Sequence, residues 1–236
     1  MAVDDASRQL REEGVVLLNG TFEKGTLIRL RDAAEKCVEA ITAEQSLPAH
    51  YSCSRSSNSV LLTALLGFGC DGIEQLMAPL STPGLERLFS EAMGSNWTCR
   101  VEHSWARKKF APIQAPAGGY HLQNWHQDGA LGVRFPVESG PVIPMTELLT
   151  CWIPLNPCGI DSPGLEFIRR GQPDLLHFSE LDDQALRRRF TPEEFWAPKL
   201  EFGDGLVFLN GTLHRTHARP EMRYSRLSIE YRIFSG

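Results

Sequence analysis

The segment Gln123-Asn124-Trp125-His126-Gln127-Asp128-Gly129 places an imidazole two residues ahead of a carboxylate. On an extended backbone, residues two apart face the same way, so His126 and Asp128 can aim a nitrogen and an oxygen at one point. That donor pair suits a divalent first-row metal, and a third ligand from another strand would complete a facial set with open coordination positions. An H-x-D triplet alone arises easily by chance, and a lone histidine is more often a core residue than a ligand. A second segment, residues 203–216, changes the weighing: a short apolar run, Leu206-Val207-Phe208-Leu209, and an Asn210-Gly211 turn lead into His214, which supplies the third ligand. Eleven residues then separate His214 from Arg226. Arg226 opens a strand on which it shares a face with Ser228, while Leu227 and Ile229 take the other.

Through W-H-Q-D-G, the distal T-L-H-R-T and the late R-L-S, the chain resembles the phytanoyl-CoA dioxygenase-like family of iron(II)/2-oxoglutarate-dependent oxygenases. The resemblance covers residues 97–236 and fades over the helical N-terminal part. It implies iron(II) held by His126, Asp128 and His214, 2-oxoglutarate as cosubstrate and O2 as oxidant. It also implies that Arg226 pairs with the far carboxylate of 2-oxoglutarate, a role suited to a guanidinium, which is always charged and can grip a carboxylate through two parallel hydrogen bonds. Thr216, two residues past the distal histidine, matches a hydroxyl position that helps hold that carboxylate. Ser228 and Trp152 complete the cosubstrate pocket that the resemblance implies. His217 is the rival distal ligand, but spacing and the Thr216 match favour His214, and on an extended strand His217 faces away from it. Arg219, Arg223 and Arg232 read as surface charges. In halogenases of this fold a small residue replaces the carboxylate ligand; Asp128 is present, which favours hydroxylation or a related oxidation of an unactivated C–H bond. The G-S-H segment usual in the family is replaced by Arg169-Arg170-Gly171-Gln172, a departure that touches no ligand.

The elements that must position these residues divide near residue 95. Before it, Leu27, Leu30, Ala34, Cys37, Val38 and Ile41 recur at helical spacing over residues 21–42, a second helix is expected over 83–93 with Gly94 ending it, and Val15–Leu18 reads as a short strand. After it, brief apolar or alternating runs bounded by Gly, Pro and Asn predict strands over 97–105, 148–155, 164–168, 205–209 and 226–234. The polar stretch 178–196 reads as a helical insertion. The expectation is one domain spanning 1–236, mainly β with flanking helices. A helical layer (1–95) would support a double-stranded β-helix, a cupin-like jelly-roll core (96–236).

Composition narrows the partners. The 236 residues carry 24 Lys and Arg against 29 Asp and Glu, a net charge of -5 that exerts no pull toward nucleic acid or an anionic membrane. The basic runs Arg107-Lys108-Lys109 and Arg187-Arg188-Arg189 read as solvated faces. Six cysteines without a C-x-x-C pair, a polar N-terminus and no long apolar run point to a soluble protein of the reducing cytoplasm. The expected ligand is a small metabolite or natural-product intermediate, without nucleic acid or membrane; the oligomeric state is not legible. His103, Trp105, Tyr120, His121 and Gln123 are candidate substrate contacts, each with a plain structural reading beside it as core or loop. Two rival functions use the same residues: a redox-neutral cupin-like hydrolase or isomerase, and a jelly roll that binds a ligand without turnover.

Overall fold

The computed structural model describes residues 3–44, 51–54, 56–114, 124–137, 140 and 142–236. The helical spacing of the N-terminal third produces α2 (Lys24–Glu44), whose stripe of Leu27, Leu30, Ala34, Cys37, Val38 and Ile41 is wholly buried. A later helix, α4 (Pro83–Met93), begins where Thr82 accepts a hydrogen bond from the Leu85 amide and Pro83 pre-sets the first helical φ, and it ends at Gly94, whose φ of 86° suits glycine. Two further helices complete this layer, α1 (Val3–Glu13) and α3 (Ile73–Met77). The polar N-terminal segment is thus helical, burying Ala6 and Leu10 on one side and leaving its charges outside.

The strands are β1 (Val15–Leu18), β2 (Tyr51–Ser54), β3 (Ser57–Leu61), β4 (Thr98–Cys99), β5 (Trp105–Lys109), β6 (Leu149–Pro154), β7 (Gly164–Ile168), β8 (Phe195–Trp196), β9 (Gly205–Leu209), β10 (His214–His217) and β11 (Arg226–Phe234). The larger sheet runs β1-β9-β6-β11-β5-β3-β2, with β4 joined to the end of β11, and the smaller runs β10-β7-β8. All these pairings are antiparallel. The fold is therefore mainly β with flanking helices, as expected of a jelly roll.

The larger sheet has two different faces. Its outer face, including Val60, Ala106, Cys151, Ile153, Val207, Leu227, Ile229, Tyr231 and Ile233, packs on the helices in the main hydrophobic cluster. On the opposite face Trp152, Leu206 and Phe208 meet Leu165 and Phe167 of the smaller sheet. Strand β11 is central to the larger sheet, held by β6 on one side and β5 on the other. Burying Leu227, Ile229, Tyr231 and Ile233 contributes about 1.5–3 kcal/mol per side chain, which lets the same strand carry polar groups on its other face.

Several expectations need correction. Residues 97–105 are not one strand: β4 stops at Cys99, a 3-10 turn occupies Val101–His103, and β5 begins only at Trp105. The N-terminal layer is not purely helical, since β2 and β3 form a hairpin that extends the larger sheet through β5. The insertion over 178–196 holds one short helix, α5 (Asp183–Arg189), between 3-10 turns, and closes in β8. The run Arg187-Arg188-Arg189 lies exposed in the last turn of α5, where positive charge complements the helix dipole. Arg107-Lys108-Lys109 is not a solvated run: it belongs to β5, and Lys109 is only 4% exposed.

Replacing Ile229, fully buried between Ala106 and Ile153 across the two neighbouring strands, with alanine is expected to lower stability by about 2–5 kcal/mol in a denaturant titration. A loss below 1 kcal/mol would mean that β11 is not the anchored centre of the sheet.

Candidate metal centre

His126 is not on a long strand. It forms an isolated antiparallel bridge with His214, the first residue of β10, each backbone amide donating to the other's carbonyl at 3.1 and 3.0 Å. Gln127 is extended (φ -123°, ψ 132°), and Asp128 opens a 3-10 turn, Asp128–Ala130. The Gln127 side chain faces the opposite way and ties this short segment down. Its amide donates to the carbonyls of Asp174 and Gly211, while its oxygen accepts from the Leu176 amide at 2.7 Å. The turn before β10 is equally close-packed: a Cβ on Gly211 would lie 2.2 Å from the Gln172 carbonyl oxygen, so only glycine fits.

These constraints bring donor atoms of His126, Asp128 and His214 to within 4.8 Å of one another, the one such grouping of potential ligands among the described residues. Each imidazole has its Nδ1 on a backbone carbonyl, His126 on Asn124 at 2.9 Å and His214 on Thr212 at 3.0 Å. Each Nδ1 is thereby the protonated nitrogen, and Nε2 is left as the donor turned inward; His214 Nε2 lies 3.7 Å from Asp128 Oδ1. Burial, then the neighbouring His214, lowers the pKa of His126 to about 4, so the ring is neutral and able to ligate at physiological pH.

A second tier of charge surrounds Asp128. Burial alone would raise its pKa, but Arg232 foremost, with His214, His126 and the Thr150 hydroxyl, holds the carboxyl well below the usual range. Asp128 Oδ2 accepts from Thr150 Oγ1 at 2.6 Å and from Arg232 Nη1, and Oδ1 accepts from Arg232 Nη2 at 3.1 Å. The same Nη2 donates to Glu230 at 3.2 Å, and Glu230 accepts from Arg107 Nε at 3.0 Å. Arg232 is therefore not a surface charge, and Arg107 is not part of a solvated face. Arg219 and Arg223 do lie toward solvent, Arg219 pairing with Glu221. The signal for Arg232 was the alternation itself: continuing by twos from Arg226 and Ser228 along β11 reaches Glu230 and Arg232.

A cavity of about 120 Å³ joins this centre to Arg226. That is roughly ten times the space one water needs. Its lining includes His126, Asp128, His214, Trp152, Thr216 and Arg226, all anticipated, together with apolar Leu165 and Phe208 and the charged trio Arg107, Glu230 and Arg232, which were not. Arg226 is 1% exposed; its guanidinium lies 5.1 Å from the Trp152 ring centre, and Nη1 donates to the Gly164 carbonyl at 3.0 Å. Ser228 is fully buried two residues further along β11 but, against expectation, does not line the cavity. Trp152 Nε1 and Ser228 Oγ are buried without a hydrogen-bond partner among the described residues.

Along β10 the burial alternates, with His214 and Thr216 inside and Arg215 and His217 partly exposed. His217 thus points away from the centre. His103 is exposed on its 3-10 turn, its ring 5.8 Å from that of Phe234 and outside the cavity lining, which corrects the expectation that it faces the interior. Trp105 shares the inward face of β5 with Arg107 but does not line the cavity either. Tyr120, His121 and Gln123 lie outside the described residues. The departing segment Arg169-Arg170-Gly171-Gln172 packs near the Gly211 turn and contributes nothing to the lining.

No family model matches the sequence, and no curated protein sequence matches it. Solved structures do. The epimerase SnoN in complex with Fe3+, alpha ketoglutarate and nogalamycin RO is 17% identical, with a TM-score of 0.66 and coverage of 99% of this chain and 83% of that one. EctD from S. alaskensis with bound Fe is 12% identical, with a TM-score of 0.68 and coverage of 99% and 78%. The non-heme alpha ketoglutarate dependent carbocyclase SnoK from nogalamycin biosynthesis is 12% identical, with a TM-score of 0.63 and coverage of 100% and 86%. At such identities the likeness is one of fold, and it agrees with the jelly-roll expectation. No helix among the described residues is long and apolar enough to cross a membrane.

The two distal histidines separate in a metal titration: His214→Ala is expected to abolish stoichiometric Fe(II) binding, while His217→Ala retains it. The reverse result would exchange their roles. The lowered pKa of His126 has its own consequence for the metal-free protein. Below its ordinary value of 6.5 the unfolded chain takes up a proton that the folded ring refuses until about pH 4, so stability falls as pH drops through that interval. Thermal melts at pH 7 and pH 5 should show a smaller drop for His126→Gln than for wild type; equal drops would mean that His126 does not carry this linkage.

Proposed function

We propose that this chain is an iron(II)- and 2-oxoglutarate-dependent dioxygenase that hydroxylates, or otherwise oxidises, an unactivated C–H bond of a small metabolite or natural-product intermediate. The observation that carries this reading is one cavity with two ends. A two-histidine, one-carboxylate donor set occupies one end, and a buried arginine the other. That donor set is the facial triad suited to non-heme iron(II) with open positions. The buried, unpartnered Trp152 Nε1, on a side chain that lines the cavity, fits a ligand with oxygen acceptors at the Arg226 end, since a buried donor without a partner is costly.

In this reading His126 and His214 hold iron through Nε2 and Asp128 through a carboxylate oxygen. Arg226 orients 2-oxoglutarate by its far carboxylate, with the Thr216 hydroxyl beside it and Trp152 as a wall. Iron with its cosubstrate supplies an oxidant able to attack unactivated carbon, and the protein supplies position and exclusion of water. Leu165, Phe208 and the Trp152 ring provide that dry wall. The guanidinium of Arg226 is stacked and already bonded to the Gly164 carbonyl, so it is presented rigidly. A redox-neutral hydrolase or isomerase on the same three ligands would have no use for such an anchor, and a module without turnover would have no need of the triad.

Anaerobic titration of Fe(II)-loaded protein with 2-oxoglutarate is expected to produce the weak visible charge-transfer band of a keto acid bound to iron through two oxygens. Arg226→Ala should weaken 2-oxoglutarate binding about 30-fold or more while leaving Fe(II) binding in place. If metal binds and no band forms, the oxygenase reading falls and the redox-neutral enzyme replaces it. If the band forms and Arg226→Ala leaves the affinity unchanged, Arg226 is not the anchor.

A further inference from the structure

We infer that Arg232 is a positioning residue that makes Asp128 a one-oxygen ligand and so keeps the third coordination position of the metal face open. This rests on the metal-ligand part of the function proposed above and is independent of its cosubstrate. A carboxylate can bind a metal through one oxygen or two, and the choice decides how many positions remain for other ligands. With His126, His214 and one oxygen of Asp128, an octahedral ion keeps three open positions; with both oxygens it keeps two.

The geometry sets this choice before any metal arrives. Asp128 Oδ2 is occupied twice, by Thr150 Oγ1 at 2.6 Å and by Arg232 Nη1. Oδ1 has a single partner from the same guanidinium, Nη2 at 3.1 Å, and is the oxygen that faces His214 Nε2 at 3.7 Å. A planar fork bridging both oxygens also fixes the rotation of the carboxylate, which a single point charge would not do. Arg232 is in turn held: Nη2 also reaches Glu230, and Glu230 accepts from Arg107. Register places these groups side by side, with Arg232 of β11 opposite Thr150 of β6, and Glu230 opposite Trp105 at the start of β5. The alternating row Asp128, Arg232, Glu230, Arg107 leaves Arg232 little freedom to swing away. Charge balance alone would be satisfied by any nearby cation and does not require both oxygens to be bridged.

The test counts open positions with Mn(II) as the probe, through the relaxation of water protons by the bound ion. Wild type should hold three exchangeable waters, and Arg232→Met two, a fall of about a third in bound-ion relaxation, with Mn(II) affinity kept within about threefold. Arg232→Lys, which keeps the positive charge but cannot bridge both oxygens, should also hold two; a count of three in this variant would overturn the inference, leaving charge alone as the role of Arg232. If Arg232→Met does not fold, the Arg232→Met, Glu230→Gln double variant removes the matching charge and carries the same test. Unchanged relaxation in a metal-loaded variant would overturn the inference, leaving Arg232 as charge balance. Loss of metal binding together with a lower melting temperature would overturn it in favour of a purely structural role. Wild type that holds Mn(II) with three waters but forms no 2-oxoglutarate band sinks the oxygenase reading and leaves this one standing; wild type that binds no Mn(II) sinks both.

Discussion

The exchange of two backbone hydrogen bonds between His126 and His214 is the contact on which the site depends. It joins a segment with almost no secondary structure of its own to the first residue of β10 and sets the two imidazoles side by side, their ring centres 4.2 Å apart. Because the backbones are locked, each ring can spend its Nδ1 on a nearby carbonyl and still turn Nε2 toward the same point. Gln127, facing the other way, bonds to three backbone groups and keeps the segment from rotating. The placement of the two imidazoles is thus imposed by main-chain pairing and one buried amide rather than by the imidazoles themselves.

Strand β11 supplies the opposite wall and reconciles two requirements that conflict elsewhere. A buried charge is costly unless it is paired and hydrogen-bonded, so a row of Arg226, Ser228, Glu230 and Arg232 would not be expected inside a sheet. Here the other face of the strand lies in the main hydrophobic cluster, and neighbours on both sides complete its hydrogen bonding. The charged face is then stabilised internally, with Glu230 shared between Arg107 and Arg232 and Arg232 on Asp128. Lys109, opposite Arg226 in register and bonded to Ser56, has its pKa lowered to about 8, chiefly by burial and then by the two neighbouring arginines. Lys109 does not line the cavity, so Arg226 is the basic group at that end of it.

Known structures of this fold carry out different reactions, as the words epimerase and carbocyclase indicate for two of the neighbours. The architecture itself does not choose among them. In this chain the cavity is lined by charged Arg107, Glu230 and Arg232 and by apolar Trp152, Leu165 and Phe208. The charged trio adjoins Asp128, through Arg232, and the apolar residues supply the rest of the wall together with Thr216 and Arg226. Its polarity is a property of side chains on strands, held by the sheet, and not of the connecting loops.

Local pattern alone determined much of this protein. The brief apolar runs at 164–168 and 205–209 were legible from their composition and bounding turns, and the alternation of 226–234 and the helical stripe of α2 because each repeats a period of the backbone over several residues. The spacing of His126 and Asp128, and of His214 and Thr216, marked the inward groups for the same reason, even though His126 sits on a bridge and not on a strand. What local pattern could not show was which outward-looking charges are inside. Arg107, Glu230 and Arg232 carry the same side chains as any surface residue. Their burial depends on β5 and β11 becoming neighbours across a sequence separation of 123 residues, which only the closed sheet decides. The same holds for His103, which left the interior when its strand broke into a turn, and for the β2–β3 hairpin, whose polar sequence became a strand pair by addition to β5. Pairing across the sheet supplies both the hydrogen bonds and the opposite charges that make such burial possible, and neither is encoded within any one segment.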